Sequence, residues 1–286
     1  MTQVNWDEVL IRCSCIGKIM AEGKGTVLTE KQAETLLELQ SKEVRTPKQE
    51  ETLQQLIAKR DAPPSLGDGC TSYLKEVYIY EKYGKEPVGG SERSKYTLKG
   101  KMVEEESIMM LSRIDSQTYT KNSQRFRNTH LQGEPDIIVT EGDSMIKIID
   151  IKSSYDFTTL LANIGNPLNP LYKYQVQGYM ALTGASEAEV CYCLVNMPQE
   201  LINSEKKRLF YATNSATEDN PEYVRQVAKL ENNMTFDEIP IKERLLRFPV
   251  QRDEEIISKI YKRVEACREW LKEFDFMHSN INNILQ

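Results

Sequence analysis

The stretch Gly133-Glu-Pro-Asp-Ile-Ile-Val-Thr-Glu-Gly-Asp-Ser-Met-Ile-Lys-Ile-Ile-Asp-Ile-Lys152 decides the fold of this chain. Two apolar runs flank a short polar turn, and this pattern predicts two adjacent strands of a hairpin. Side chains alternate between the faces of a strand, so Asp150 and Lys152 share one face and Ile149 and Ile151 take the other. Apolar residues on both faces predict an interior strand of a sheet that is covered on both sides.

Polar side chains mark the ends of both predicted strands. Asp136 lies on the first strand, and Asp150 and Lys152 end the second. Two carboxylates and a lysine on neighbouring strands can hold a divalent cation and a phosphate. Taken alone, each of these residues is equally well explained as a strand-end group in an ordinary ion pair. The acid-x-lysine triplet carries little weight by itself, because Glu22-Gly-Lys24 and Glu205-Lys-Lys207 repeat it.

The composition is that of a globular protein. The 286 residues are enough for one large domain or two small ones, and 40% hydrophobic residues suit a packed core. The net charge of −6 argues against a uniformly basic DNA-coating protein. It leaves room for a nuclease, because a metal site is acidic and DNA contact needs only a local basic patch.

The six cysteines do not show the C-x-x-C spacing of a zinc ribbon or of most iron–sulfur sites. We therefore expect buried free thiols and no iron–sulfur cluster. The N-terminus has no signal-peptide pattern, and no apolar run is long enough to span a membrane. These features predict a cytoplasmic protein, in a bacterial or phage-infected host cytosol, with no membrane association.

Caps and breakers divide the chain into elements. Thr29, Asn169 and Asp253 are predicted N-caps, Pro47 opens a helix and Gly184 ends one. We expect a helical arm over residues 1–69 and a core over residues 70–286, together forming one compact unit. Further predicted helices cover about residues 70–83, 98–114, 156–163, 170–183, 221–230 and 253–274; further predicted strands cover residues 117–131, 190–195 and 206–212. Residues 62–69 and 87–90 are predicted breaks.

The helix predicted for residues 98–114 contains three successive glutamates, Glu104, Glu105 and Glu106. Three successive residues subtend about 200° around a helix axis, so one of these side chains lies near the apolar side. A carboxylate in that position needs a cation or hydrogen-bond donors.

Four motifs occur in the order known from a nuclease family: Gly100-Lys-Met-Val-Glu104, Gly133-Glu-Pro-Asp136, Asp150-Ile-Lys152 and Gln175-Val-Gln-Gly-Tyr179. On these motifs, residues 95–195 resemble the PD-(D/E)XK nuclease superfamily, in its RecB-like and phage lambda exonuclease (YqaJ-like) branches. The helix of residues 253–274 is similar to the C-terminal helix of the phage members. Arg12-Cys-Ser14 is faintly similar to the arm that precedes their core. The resemblance implies an α/β fold with a central mixed β-sheet flanked by helices, the restriction-endonuclease-like core, plus an N-terminal helical arm and a C-terminal helix.

The resemblance also implies roles for single residues. It assigns Mg²⁺ or Mn²⁺ to Glu104, Asp136, Asp150 and the backbone carbonyl of Ile151, places Lys152 beside the attacking water and the phosphate, and lets Gln175 and Tyr179 close the site. The choice of Glu104 over Glu105 rests on the Gly-x-x-x-Glu spacing. Six basic residues are either a phosphate-contacting rim or a solvated surface: Lys121, Arg125, Arg127, Lys206, Lys207 and Arg208.

The implied function is a divalent-metal-dependent DNA nuclease, an exonuclease of phage-type recombination, repair or DNA processing. Two alternatives stay open: a structure-specific or nicking endonuclease, and a catalytically silent nuclease-fold module that only binds DNA. The implied partner is DNA, as duplex ends or single strand. The resemblance also allows a recombination or single-strand-annealing protein and a homo-oligomer.

Overall fold

A computed structural model describes residues 4–21, 28–61, 66–86 and 94–281. Residues 62–65 of the break predicted at 62–69, the break predicted at 87–90 and the triplet at residues 22–24 lie outside these ranges. Contacts divide the chain into two compact units. One comprises Met1–Val9, Cys15–Glu86 and Lys259–Gln286, and the other comprises Leu10–Ser14 and Pro87–Ser258. The division into an arm of residues 1–69 and a core of residues 70–286 stays a prediction.

The first unit is helical. It contains α1 (Ile16–Met20), α2 (Glu30–Ser41), α3 (Pro47–Asp61), α4 (Asp68–Tyr83) and most of α11 (Glu254–Ser279). As predicted, Thr29 caps α2: its hydroxyl accepts from the Gln32 backbone N–H at 3.2 Å, and Gln32 returns a hydrogen bond to the Thr29 backbone. Pro47 opens α3 as predicted. Helices α2 and α3 pack against each other through four buried side chains, Leu36, Leu39, Leu53 and Leu56.

The helical arm predicted for residues 1–69 is wrong at its start, where residues 6–12 do not form a continuous helix. Trp6–Glu8 is a single 3₁₀ turn, and Ile11–Arg12 form the short strand β1. The Ile11 N–H donates to the carbonyl of His130 at 3.0 Å, and β1 runs parallel to β3 (Leu131–Gly133). Pairing with a strand far along the chain overrides the helical spacing of the apolar residues.

The described residues of the second unit form two sheets. Strands β2 (Phe126–Arg127) and β1 flank β3 in the smaller one, in the order β1-β3-β2. The larger one has the order β4-β5-β6-β7, with an antiparallel, a parallel and an antiparallel pairing, and is therefore mixed. Its strands are β4 (Ile137–Glu141), β5 (Ser144–Ser153), β6 (Glu187–Cys193) and β7 (Leu245–Gln251). The helices of this unit are α5 (Lys95–Met102), α6 (Glu104–Asp115), α7 (Phe157–Leu161), α8 (Pro170–Thr183), α9 (Gln199–Ala212), α10 (Pro221–Met234) and the start of α11.

The predicted hairpin is confirmed. Strands β4 and β5 pair antiparallel, with Ile137 opposite Ile149, and Gly142 in the turn takes the left-handed backbone that favours glycine (φ 57°). Strand β5 lies inside the sheet, as its apolar faces predicted. On one side, Ile149 and Ile151 pack in a buried cluster with Leu111 of α6.

The single helix predicted for residues 98–114 is wrong, because the chain breaks at Val103 (φ −112°, ψ 14°) into α5 and α6. Val103 is buried in the sheet cluster. The break puts Glu104, Glu105 and Glu106 into the first turn of α6. Carboxylates are favoured there because the N-terminus of a helix carries partial positive charge.

Two further corrections concern the region after β6. The strand predicted for residues 206–212 is wrong: this segment ends α9, which buries Leu201 and Ile202. Strand β7 is missing from the prediction because Pro249 weakens its strand pattern. A proline is tolerated here because β7 is the edge strand of its sheet.

Predicted helix ends in the second unit are confirmed. Asn169 caps α8 by accepting from the Leu171 N–H at 3.0 Å, and Gly184 ends it in the left-handed conformation (φ 80°). The Asp253 carboxylate accepts from the backbone of Glu255 and Ile256 at the start of α11. All six cysteines are buried, and none of them forms a disulfide bond. No helix in the described ranges combines the length and apolarity needed to cross a bilayer.

Candidate active site

The structure brings five predicted site residues together where β4 and β5 face α8. Asp136 immediately precedes β4, and Asp150 and Lys152 lie near the end of β5. Gln175 and Tyr179 are one helical turn apart on α8 and point to the same side. The long, doubly covered β5 fixes the backbone of Asp150 and Lys152, so their side chains are held in one arrangement.

Asp150 is the most buried charged group of this cluster. Its side chain is fully buried, and Oδ1 accepts from Gln175 Nε2 at 3.0 Å. Oδ2 lies 2.8 Å from Lys152 Nζ in an ion pair, yet it accepts no hydrogen bond of good geometry. The Lys152 ammonium is the cation that offsets the burial of this oxygen, which has no further hydrogen-bond partner.

The ammonium of Lys152 lies among groups that stabilise its positive charge. Nζ donates to Gln175 Oε1 at 3.2 Å and also lies 2.8 Å from Asp150 Oδ2. Burial opposes its charge, but the carboxylates of Asp150 and Asp136 outweigh burial and raise the pKa of Lys152. The lysine is therefore fully protonated at neutral pH.

Asp136 connects the two strands of the hairpin. Its Oδ2 accepts from the backbone N–H of Ile151 at 2.6 Å. Burial, followed by the charge of Asp150, raises the pKa of Asp136 to about 8. The charge of Asp150 disfavours a second negative charge on Asp136, and a cation held by both groups would remove that penalty.

Glu104 is half-buried at the start of α6, whereas Glu105 and Glu106 are exposed. Its Oε2 accepts from Lys121 Nζ at 3.0 Å, and its charge contributes to the raised pKa of Asp136. Within the described ranges, no three His, Cys, Asp or Glu side chains stand together as a ready metal-binding group. Asp136 and Asp150 therefore act on each other electrostatically, whereas Glu104 forms an ion pair with Lys121 and does not complete a group of three acidic side chains among the described residues.

The assembled groups fit a divalent cation of the Mg²⁺ type. Their donors are carboxylate oxygens, which hard cations prefer. Asp150 Oδ2 is a buried oxygen without a hydrogen bond, and the neighbouring Asp136 adds like charge. Lys152 already offsets part of the charge on Asp150 Oδ2, and a cation shared by the two carboxyl groups would offset the like charge that Asp136 adds.

Tyr179 lies at the edge of the cluster, next to Gln175. Its hydroxyl accepts from Gln175 Nε2 at 3.2 Å, and burial followed by the charge of Asp150 raises its pKa. A Cβ at Gly133 would lie 2.7 Å from the Tyr179 ring and 2.9 Å from Cys13 Sγ, so only glycine fits there. The same tyrosine lines a pocket of about 190 Å³ whose other walls are Arg12, Cys13, Ser14, Arg125, Gln132, Gly133 and Glu134.

The six predicted DNA-contacting residues fall into two groups. Lys121 adjoins the site, because it forms an ion pair with Glu104. Arg125 lines the pocket and forms an ion pair with Glu134 at 3.3 Å. Arg127 is exposed on β2.

The basic triplet Lys206-Lys207-Arg208 lies on α9 instead. Lys206 pairs with Glu231 of α10 at 2.5 Å, and Arg208 pairs with Glu205 one turn away at 3.0 Å. Lys207 is exposed. Two of these three charges are therefore engaged by acidic neighbours on the helical surface.

Two residues near the site were missed from the sequence. The Tyr172 ring lies 4.6 Å from Lys152 Nζ; its position three residues before Gln175 was a usable signal, because the two share a helix face. Lys99 of α5 is fully buried and donates to the carbonyls of Ser154 at 2.7 Å and Tyr155 at 2.9 Å, just after β5. Burial lowers the pKa of Lys99 to about 8. No sequence pattern distinguished this lysine from a surface one.

Comparisons with known proteins bear on the fold. No protein-family model matches the sequence, and no curated protein matches it either. Among solved structures, the chain is similar to a phage-related exonuclease from Haemophilus somnus 129PT, with a TM-score of 0.61 and 23% identity over 95% of this chain and 97% of that one.

A second solved structure with the same fold is the alkaline exonuclease LHK-Exo from Laribacter hongkongensis. The TM-score is 0.55 at 13% identity, over 98% of each chain. Its complex with dAMP gives a TM-score of 0.53 at 13% identity, over 96% of this chain and 94% of that one. This chain therefore has the fold of the phage-related and alkaline exonucleases, the fold that its four motifs predicted.

Proposed function

We propose that this chain is a divalent-metal-dependent DNA nuclease that hydrolyses phosphodiester bonds, and that it acts as an exonuclease. The observation that carries the proposal is the buried Asp150 carboxylate. It is fully buried, its Oδ2 forms an ion pair with Lys152 at 2.8 Å, and its charge, after burial, raises the pKa of a second acid, Asp136. Buried charges in such clusters are costly for stability and are typical of functional sites.

Asp136 and Asp150 would hold Mg²⁺ or Mn²⁺, with the backbone carbonyl of Ile151 as a further oxygen ligand. Glu104 would join them after leaving its ion pair with Lys121. A bound cation of this type supplies Lewis-acid stabilisation of the phosphate and makes water a better nucleophile at neutral pH.

The protein groups orient the reactants. Hydrolysis joins a water oxygen to phosphorus while the bond from phosphorus to the leaving sugar oxygen breaks. The Lys152 ammonium orients that water and offsets the charge that grows on the phosphate oxygens. Gln175 forms hydrogen bonds with both Asp150 and Lys152, so it fixes the carboxylate and the ammonium relative to each other. Tyr179 closes the site through Gln175.

DNA would reach this site along its basic border. Arg12 and Arg125 line the pocket beside Tyr179, and guanidinium groups suit phosphate oxygens. Lys121 and Arg127 extend this border, and residues 206–208 on α9 would contribute more distant phosphate contacts. A fold shared with phage-related and alkaline exonucleases supports an exonuclease over an endonuclease. It also supports a role in phage-type recombination, repair or DNA processing in the cytosol, with a strand-annealing protein or a second copy as partner.

The test is digestion of end-labelled linear duplex DNA with and without Mg²⁺. We expect nucleotides to be released only when the cation is present. Asp150→Ala and Lys152→Ala should each abolish release, while the circular dichroism spectrum stays that of the unsubstituted protein. Undiminished cleavage by Asp150→Ala would overturn the proposal.

Two further measurements separate the alternatives. Covalently closed circular DNA should stay intact, whereas nicking would indicate an endonuclease. Calorimetry should show Mn²⁺ binding that Asp150→Ala removes. An absence of binding to the unsubstituted protein would indicate a module that only binds DNA.

A further inference from the structure

Tyr172 of α8 lies against the ammonium of Lys152 and belongs to none of the four motifs. The centroid of its ring is 4.6 Å from Lys152 Nζ. A cation within about 6 Å of an aromatic centroid is attracted by the negative face of the ring. Lys152 therefore has three partners: Asp150 Oδ2 at 2.8 Å, Gln175 Oε1 at 3.2 Å and the Tyr172 ring.

The Tyr172 ring is itself held by the sheet. It meets Tyr192 edge to face, with ring centroids 6.1 Å apart. Tyr192 lies on β6 directly beside Lys152 in the parallel register, and it meets Phe248 of β7 edge to face at 5.5 Å. Edge-to-face pairs of aromatic rings are favourable, so this row of rings fixes Tyr172 over the lysine.

We propose that Tyr172 is a positioning residue that, with Gln175, holds the Lys152 ammonium when the charge of Asp150 is drawn to a divalent cation. This inference rests on the proposed nuclease function. A carboxylate oxygen that coordinates a cation attracts a nearby ammonium less, and the cation itself repels that ammonium. Lys152 then needs partners that do not compete for the cation.

The ring and the amide of Gln175 meet this need because both are neutral. An acidic partner would cancel the charge of Lys152, whereas the ring face orients the ammonium and leaves its positive charge available to phosphate oxygens. The side chain of Lys152 keeps about a fifth of its surface exposed, so it can reach a substrate from this position.

The first test reads the contact directly in metal-free protein. Lysine labelled with ¹³C at Cε reports ring contact, because nuclei over an aromatic face are shifted upfield. The Lys152 signal is assigned by its loss in Lys152→Arg. We expect the upfield shift in the unsubstituted protein and in Tyr172→Phe, and an ordinary lysine position in Tyr172→Leu. An unchanged signal in Tyr172→Leu would overturn the inference.

The second test is kinetic. Tyr172→Leu keeps apolar volume and removes the aromatic face, so kcat for nucleotide release at saturating Mg²⁺ should fall about threefold to thirtyfold. KM should stay within about twofold, because the lysine acts mainly in the transition state. Tyr172→Phe should restore kcat. An equal loss in Tyr172→Phe, or no loss in Tyr172→Leu, would contradict the inference.

Tyr174→Leu is the matched control, since Tyr174 is a half-buried tyrosine on the same helix. It should keep kcat, whereas an equal loss would assign the effect to the helix and not to the ring. The two proposals fail separately. If the unsubstituted protein releases no nucleotides, the proposed function fails while the ring-contact measurement still applies. If nucleotides are released and the ring contact is absent, only the present inference fails.

Discussion

The backbone N–H of Ile151 donates a 2.6 Å hydrogen bond to Asp136 Oδ2, so the residue between the acid and the lysine of β5 is tied to the acid that precedes β4. The hydrogen bond keeps Asp136 beside Asp150, and burial together with the charge of Asp150 raises the pKa of Asp136. Strand pairing alone would leave the Asp136 side chain free to turn away.

This arrangement makes the stability of the metal-free protein depend on pH. The folded protein holds a proton on Asp136 up to about pH 8, whereas the unfolded chain releases it near pH 4. The stabilisation from this group is complete below pH 4 and is lost as pH rises toward 8. Asp136→Asn should remove this fall, because an amide accepts from Ile151 without charge. Thermal unfolding from pH 5 to 8.5, with chelator present, measures the difference; parallel curves for both proteins would contradict the prediction.

Gly133 is expected to be irreplaceable for steric reasons. Alanine would place a Cβ 2.7 Å from the Tyr179 ring and 2.9 Å from Cys13 Sγ. Overpacking of this kind costs about 1–3 kcal/mol, and displacement of Tyr179 should reduce nucleotide release as well. Urea unfolding measures the first effect. Gly100→Ala is the control, since its Cβ meets nothing within 4 Å and alanine favours helix α5. A Gly133→Ala protein as stable as Gly100→Ala would show that the neighbours yield freely.

Gln175 and Gln177 are both buried on α8 but should behave differently. Gln175→Ala removes the contacts to Asp150 and Lys152, and we expect a roughly 10- to 100-fold loss of metal affinity or activity. Gln177 bonds to the backbone of Gln251 and Asp253 instead. Gln177→Ala should lower the unfolding temperature and leave the Mg²⁺ dependence unchanged. Equal Mg²⁺ titration curves for the two variants would rule out a special role for Gln175.

Lys121 is expected to contact DNA once Glu104 turns to the cation. Each phosphate contact adds about 0.9 to the slope of log affinity against log salt for duplex DNA. Lys121→Ala should reduce this slope by about one contact in fluorescence anisotropy with an uncleaved duplex. Its effect on stability should be at most about 1 kcal/mol, since the pair with Glu104 is partly exposed. Lys229→Ala, on the exposed side of α10, is the control. A slope equal to that of the control would remove Lys121 from the DNA-contacting set.

The sequence predicts those elements that are stabilised by contacts between residues close together in the chain. The hairpin, the caps at Thr29, Asn169 and Asp253, and the left-handed end of α8 at Gly184 all depend on neighbouring residues. The motif order also predicted the fold. The placement of Asp136, Asp150, Lys152 and α8 around one cluster followed from that fold.

Elements that depend on distant partners could not be predicted this way. Strand β1 exists because of β3, and β7 tolerates Pro249 because of its edge position. The break at Val103 reflects burial against the sheet. The partner of Glu104 and the burial of Lys99 depend on side chains from other elements, which no spacing along the chain reveals.

The pairing of Ile11 with Leu131 has a consequence for the order of folding. The two residues are roughly 120 positions apart, so β1 leaves the ribosome long before its partner strand exists. Closing so long a loop is slow and entropically unfavourable, and folding rates fall as contacts become less local. The nascent N-terminal segment must therefore wait unpaired during synthesis. Until β1 docks, β3 presents an open edge that other chains can join, and dilution during refolding should raise the yield of native protein.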